Sequence, residues 1–167
     1  MADLHSVDTE AHGARTAGSL LPSDIETRAD CERLVRAFYG KAMADPVIGF
    51  IFVDVAKLDL EAHVPRITSF WETVLLGNKT YGGGAFEVHV GVHAKVELRE
   101  GHFKRWLGLW FETVDELFAG ERANQAKVHA LRVGQAFHQR LQGFPSPRDA
   151  APDPGGIVVT TVDPPAR

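Results

Sequence analysis

The chain has 167 residues, of which 44% are hydrophobic and 24% charged, ordinary values for a single globular domain. Its net charge of −4 gives no general attraction to nucleic acid or to an anionic membrane, and no apolar run reaches the roughly 20 residues that span a bilayer. A lone cysteine, Cys31, excludes an intramolecular disulfide and a paired-cysteine metal knuckle.

In chain order, residues 1–22 are rich in Ala, Gly, Ser, Thr and Asp, show no periodicity and lack the apolar stretch of a secretory signal. They read as a flexible tail of a cytoplasmic, reduced protein. Residues 23–143 read as one helical domain. In "TRADCERLVRAFYGKAMAD" the apolar positions Cys31, Leu34, Val35, Phe38 and Ala42 fall at three-to-four spacing, which predicts a helix with one apolar stripe. Thr27 with Asp30 resembles a capping box, and Asp45-Pro46 ends the helix, because a residue before proline avoids the helical region. "PVIGFIF" is short and apolar and predicts a buried turn. "DLEAHVPRITSFWETVLLG" predicts a second helix carrying Leu60, Val64, Ile67, Phe70, Trp71, Val74 and Leu75 on one side. Pro65 lies in its first turns or bends it, and Gly77 caps its end.

"NKTYGGG" predicts a loop. "GHFKRWLGLWFETVDELFAG" predicts a long third helix with Phe103, Trp106, Leu107, Trp110, Val114, Leu117 and Phe118 inward. "ERANQAKVHALRVGQAFHQRLQG" predicts a fourth, with Ala126, Ala130, Val133, Phe137 and Leu141 inward. Residues 144–167 hold most of the nine prolines and read as a second flexible tail, in which "IVVTTV" is a strand-like run with no partner. The fold class is all-α: four main helices plus short pieces around an aromatic core.

Four groups of residues could carry chemistry. His89 and His93 stand four apart, so a helix puts both on one face, as a zinc chelate requires. Zinc needs further ligands, however, and no Cys pair, HExxH motif or acidic cluster supplies them. Surface histidines on a short polar helix are the plainer reading. Tyr39 lies beside the first apolar stripe and can aim its hydroxyl inward or simply pack. His63 opens the second helix, ahead of Phe70-Trp71. Trp106 and Trp110 are one turn apart, and either can donate an indole N–H into a cavity or serve as packing. Taken together these residues describe an aromatic cavity with a few polar tips and one imidazole on a separate segment. A flat apolar cofactor with an iron atom needs such a cavity.

The segments "RAFYGKAMADPVIGFIF", "HVPRITSFWETVLLG" and "HFKRWLGLW" resemble the truncated haemoglobins, specifically their third group, over about residues 25–142. The resemblance implies a two-over-two helical sandwich around haem b. It implies that His93 is the proximal iron ligand, because "VHAKVEL" resembles the family's "VHARLPL" and the spacing to Trp106 is the usual one. His89 is the rival, one helical turn further upstream. By the same resemblance Tyr39, His63, Ile67 and Trp106 form the distal ligand pocket. Phe38, Phe52 (or Phe50), Phe70 and Trp71 pack against the haem, and Tyr81 reaches a propionate. Glu97 departs from the pattern, standing where the family often has proline. The implied partners are O2, NO and CO, with a reductase, in a monomer or weak dimer. The implied chemistry is redox reaction of O2, NO or peroxide, or sensing, rather than bulk transport. A globin-like domain without haem, acting as a sensor or interaction module, is the alternative reading. A non-haem metalloenzyme using His89, His93 and His102 is a third.

Overall fold

A computed structural model describes residues 22–149. The "IVVTTV" run and nearly all of the N-terminal tail lie outside the described residues. Five α-helices follow in order: α1 Arg28–Ala44, α2 Leu60–Leu76, α3 Ala85–His93, α4 Glu100–Leu117 and α5 Glu121–Leu141, with a π-helical turn, Ile51–Val55, between α1 and α2. No strand occurs among the described residues. Helices α1 and α2 pack as one pair and α4 and α5 as the other. The pairs meet where α1 touches α4 and α2 touches α5, while α3 lies against α5. The result is a two-over-two sandwich.

The ends of the helices follow from local chemistry. Thr27 Oγ1 accepts the Asp30 amide and the Asp30 carboxylate accepts the Thr27 amide, closing a capping box on α1. Asp59 caps α2, Pro65 sits in its second turn without interrupting it, and Gly77 closes it at φ 75°, a left-handed conformation that glycine adopts freely. The carboxylate of Asp24, upstream of α1, accepts the Arg122 and Ala123 amides at 2.9 and 2.8 Å and so caps α5 from a distance.

Two stretches differ from expectation. "PVIGFIF" is a buried turn only in part. Ile48 and Ile51 are inside, but Val47 and Phe50, in the short turn that leads into the π turn, are exposed. On α4 the fully buried stripe is Leu109, Trp110, Thr113 and Val114, whereas Phe103, Trp106 and Leu107 are half-buried. The folded chain also continues past Gly143. Phe144 lies 5.7 Å from Phe86, ring to ring, and Asp149 closes a turn on Ser146.

Candidate functional site

The side chains that leave the core stripe half-buried enclose a cavity of 480 Å³ between the two helix pairs and α3, a volume typical of a small-molecule or cofactor site. Its wall is mostly apolar and aromatic. Phe52 comes from the π turn, Ile67, Phe70 and Trp71 from α2, Phe86 from α3, Trp106 from α4 and Phe137 from α5. The wide turn is what brings both Ile51 and Phe52 to this wall.

The polar tips cluster. Tyr39 O lies 3.1 Å from His63 Nε2, so α1 and α2 present a joined phenol–imidazole pair. Burial pushes the Tyr39 phenol well above its ordinary range, so it stays protonated. Burial, with the nearby Arg66 charge, holds the His63 imidazole below its ordinary value, so it is neutral near pH 7. A hydrogen bond between two neutral groups has two orientations. Either the phenol donates to a bare Nε2, or Nε2–H donates to the phenol oxygen and leaves the phenol hydrogen free.

The cavity also contains an orphan. Tyr81 is delivered by the loop after α2, and its hydroxyl is buried without a hydrogen-bond partner, an unusual state for a buried phenol. That loop is held firmly. Thr73 Oγ1 accepts the amides of Thr80 and Tyr81, Arg66 donates to the Gly83 carbonyl at 2.8 Å, and the buried Glu72 carboxylate accepts from Asn78, Arg28 and Thr80. Hydrogen bonds, the one from Asn78 foremost, hold the Glu72 carboxyl below its usual range. Neither Glu72 nor Thr73 stands out in the sequence, because their partners are brought to them by the fold.

The histidines of α3 and α4 separate. His89 lines the cavity, and its Nδ1 lies 2.7 Å from the Ala85 carbonyl, one turn back. A carbonyl only accepts, so Nδ1 carries the proton and neutral His89 has a bare Nε2. Phe137 packs on its ring at 4.9 Å. His93 is the last residue of α3, buried at 3% exposure, and it does not line the cavity. Its Nδ1 accepts the Leu98 amide at 3.2 Å, which places the proton of a neutral ring on Nε2 and leaves no free lone pair for a metal. Two candidates for an iron ligand therefore stand in different settings: His93 is held by the turn after α3, and His89 stands on the cavity wall. The residues between α3 and α4 form a turn that uses His93 to hold itself, and counting along the chain cannot see that turn. His102 sits at the cavity rim, where its Nδ1 accepts the Arg99 amide. No group of three His, Cys, Asp or Glu among the described residues is arranged to hold a metal ion.

Of the remaining expected site residues, Tyr39, His63, Ile67, Trp106, Phe52, Phe70, Trp71 and Tyr81 line the cavity, whereas Phe38 and Phe50 do not. Phe38 is 1% exposed and packs edge-on against Tyr39, Trp106 and Trp110. Adjacent helical residues point about 100° apart, so when Tyr39 faces the cavity Phe38 must stand behind it. Phe50 points outward beside His102.

The all-helical two-over-two sandwich around an aromatic cavity is the fold of the truncated haemoglobins. No protein-family model matches the chain. The group 3 truncated hemoglobin of Campylobacter jejuni subsp. jejuni serotype O:2 is 24% identical over 115 residues, covering 67% of this chain and 88% of that relative. The crystal structure of the group III truncated hemoglobin from Campylobacter jejuni superposes with a TM-score of 0.64 at 23% identity, covering 72% of this chain and 95% of that one. No helix among the described residues is long and apolar enough to cross a membrane.

Proposed function

We propose that the protein is a haem-binding globin of the third truncated group that takes O2, NO or CO on iron. One observation carries this reading: the Nδ1 of His89 is engaged by the Ala85 carbonyl and its Nε2 is bare, on the wall of an aromatic cavity that also holds the Tyr39–His63 pair. Haem, when bound, would supply an iron that takes an imidazole nitrogen and a diatomic molecule. His89 would hold it through Nε2, and the Ala85 bond would fix the tautomer and make the ring a better donor. Phe70, Trp71 and Phe137 would pack the macrocycle. The orphaned Tyr81 hydroxyl fits a propionate oxygen, the kind of acceptor it lacks within the protein. The lone cysteine, buried in the α1 stripe, supports a non-covalent haem of the b type.

On the ligand side Tyr39 and Trp106 are the donors. The Trp110 indole donates to the Ala126 carbonyl at 3.3 Å, while Trp106 Nε1 has no intramolecular acceptor among the described residues. When His63 Nε2–H donates to the Tyr39 oxygen, the phenol hydrogen is free to meet a bound O2. These donors would hold a diatomic ligand that gains negative charge on binding and would slow its escape. Tight retention suits chemistry on O2, NO or peroxide, fed by a reductase, or sensing, better than bulk carriage.

The purified protein supplied with haem should show a Soret band that shifts on reduction and again with CO. His89→Ala should abolish the histidine-ligated spectrum, and His93→Ala should preserve it. The reverse pattern would return the iron to His93. A cavity that takes up no haem would favour the haemless sensor domain.

A further inference from the structure

All three tryptophans of the chain form one continuous stack beside the cavity. Trp71 of α2 lies on Trp110 of α4 with ring centroids 4.3 Å apart and planes 18° from parallel. Trp106, one turn earlier on α4, lies parallel to Trp110 within 7° at 6.0 Å. Trp71 and Trp106 line the cavity, while Trp110 is fully buried behind them. Packing alone accounts for aromatic rings in a core, whose pairs prefer offset or edge-to-face contact. It does not account for where the stack leads. Trp71 meets the edge of His129 on α5 at 6.0 Å. His129 in turn lines a second, separate groove of 440 Å³ at the surface between α2 and α5, beside Val74, Val128, Asn124 and Arg132. An unbroken aromatic path therefore joins the buried cavity to an outer groove.

We propose that this stack carries oxidising equivalents from the cavity to the groove, and that the protein is a peroxidase toward small phenols that dock beside His129. The proposal rests on haem occupying the cavity. Indole is among the most easily oxidised side chains, and face-to-face contact spreads a missing electron over both rings. The carbonyl of Ala126, bonded to Trp110 Nε1–H, turns its negative end toward the oxidised ring and keeps the proton in place. The groove matches a phenol. Val74 and the half-exposed Val128 offer apolar surface, and Asn124, Gln125 and Arg132 offer polar tips for a hydroxyl.

The reaction balances. A hydroperoxide is cleaved at its O–O bond in the cavity, takes up two electrons and two protons, and leaves as an alcohol and water. The electrons arrive singly through the stack, each leaving an indole radical cation with its N–H intact. A phenol in the groove refills each vacancy. It gives its proton to His129, which burial and Arg132 keep neutral, and leaves as a phenoxyl radical. One hydroperoxide and two phenols thus give one alcohol, one water and two phenoxyl radicals. Tyr39 is the competing site of oxidation, since His63 can take its proton, but it meets the stack only through Phe38, 5.2 Å from Tyr39 and 5.1 Å from Trp110, a ring far harder to oxidise than indole.

The test is rapid freezing of the haem-loaded protein after hydrogen peroxide, read by electron paramagnetic resonance on samples carrying ring-deuterated tryptophan or ring-deuterated tyrosine. The expected result is a radical signal narrowed by tryptophan deuteration. Trp110→Phe should lower its yield several-fold while the Soret band is unchanged. Val128→Glu, at an exposed position outside the core, should slow quenching of the radical by p-cresol several-fold. A signal narrowed only by tyrosine deuteration overturns the proposal, as does a normal Soret band with no organic radical. Both outcomes leave the haem assignment standing. Absence of a Soret band overturns both. If Trp110→Phe does not hold haem, the p-cresol measurement decides, and an unchanged quenching rate in Val128→Glu overturns the proposal.

Discussion

At the scale of single residues the site depends on where protons sit. His89 and His93 are chemically identical and four residues apart, and each is fixed by one backbone partner at Nδ1. A carbonyl partner makes His89 Nε2 a lone-pair donor, and an amide partner leaves His93 Nε2 protonated. The same logic governs Tyr39, whose phenol donates to a ligand only when His63 supplies its own hydrogen to the phenol oxygen. A hydrogen bond to a charged group contributes roughly 1.5–3 kcal/mol, and about 1.4 kcal/mol is a factor of ten. Tyr39→Phe should therefore speed O2 release from the haem-loaded protein by about tenfold or more in a stopped-flow displacement experiment. An unchanged rate would remove Tyr39 from the ligand side. The residue types of the site are legible in the sequence. Their orientation is not. The resemblance implies that Phe38 packs against the haem, yet in the fold it stands in the core stripe that its helical spacing predicts, behind Tyr39.

At the scale of elements, the ends of α1 and α2 were readable because caps are local. Thr27 and Asp30 are three residues apart, and Asp45-Pro46 and Gly77 act on their own backbone. Thr27→Ala should destabilise the fold by about 1 kcal/mol in urea unfolding without displacing the haem spectrum, since the cap lies away from the cavity. The π turn was not readable, because a short apolar run has no periodicity to separate a buried turn from a half-exposed one. Nor was the anchoring of the Tyr81 loop, whose partners Glu72, Arg28 and Asn78 come from three segments. That anchoring has a pH dependence. The folded Glu72 pKa lies below the unfolded value because Asn78, Arg28 and Thr80 bond the carboxylate. Its contribution is fully present above the unfolded value of about 4.5 and is lost as pH falls through the folded value. In acid titrations Glu72→Gln should lose less stability than the parent between neutrality and the acid limb. An identical acid limb in the two proteins would show that the loop is held by other bonds.

At the scale of the whole molecule, two helix pairs that meet only in part leave between them a cavity that their own side chains do not fill. Close-packed interiors gain dispersion contacts from whatever fills such a space, so an apolar group bound there stabilises the folded chain. A ligand that binds only the folded state stabilises it by an amount set by its concentration over its dissociation constant, about 2.7 kcal/mol at a hundredfold excess. Haem supplied to the purified protein should therefore raise its Tm by several degrees and narrow the gap to a fully packed domain. The rise separates two contributions. His89→Ala removes the axial bond but keeps the aromatic walls, so a small residual shift should remain from packing against Phe70, Trp71 and Phe137. Deletion of wall area by Phe70→Ala should reduce the shift while preserving the ligated spectrum. If His89→Ala keeps the full shift, His89 does not hold the iron, and the ligated spectrum then decides between His93 and a macrocycle held by its faces alone.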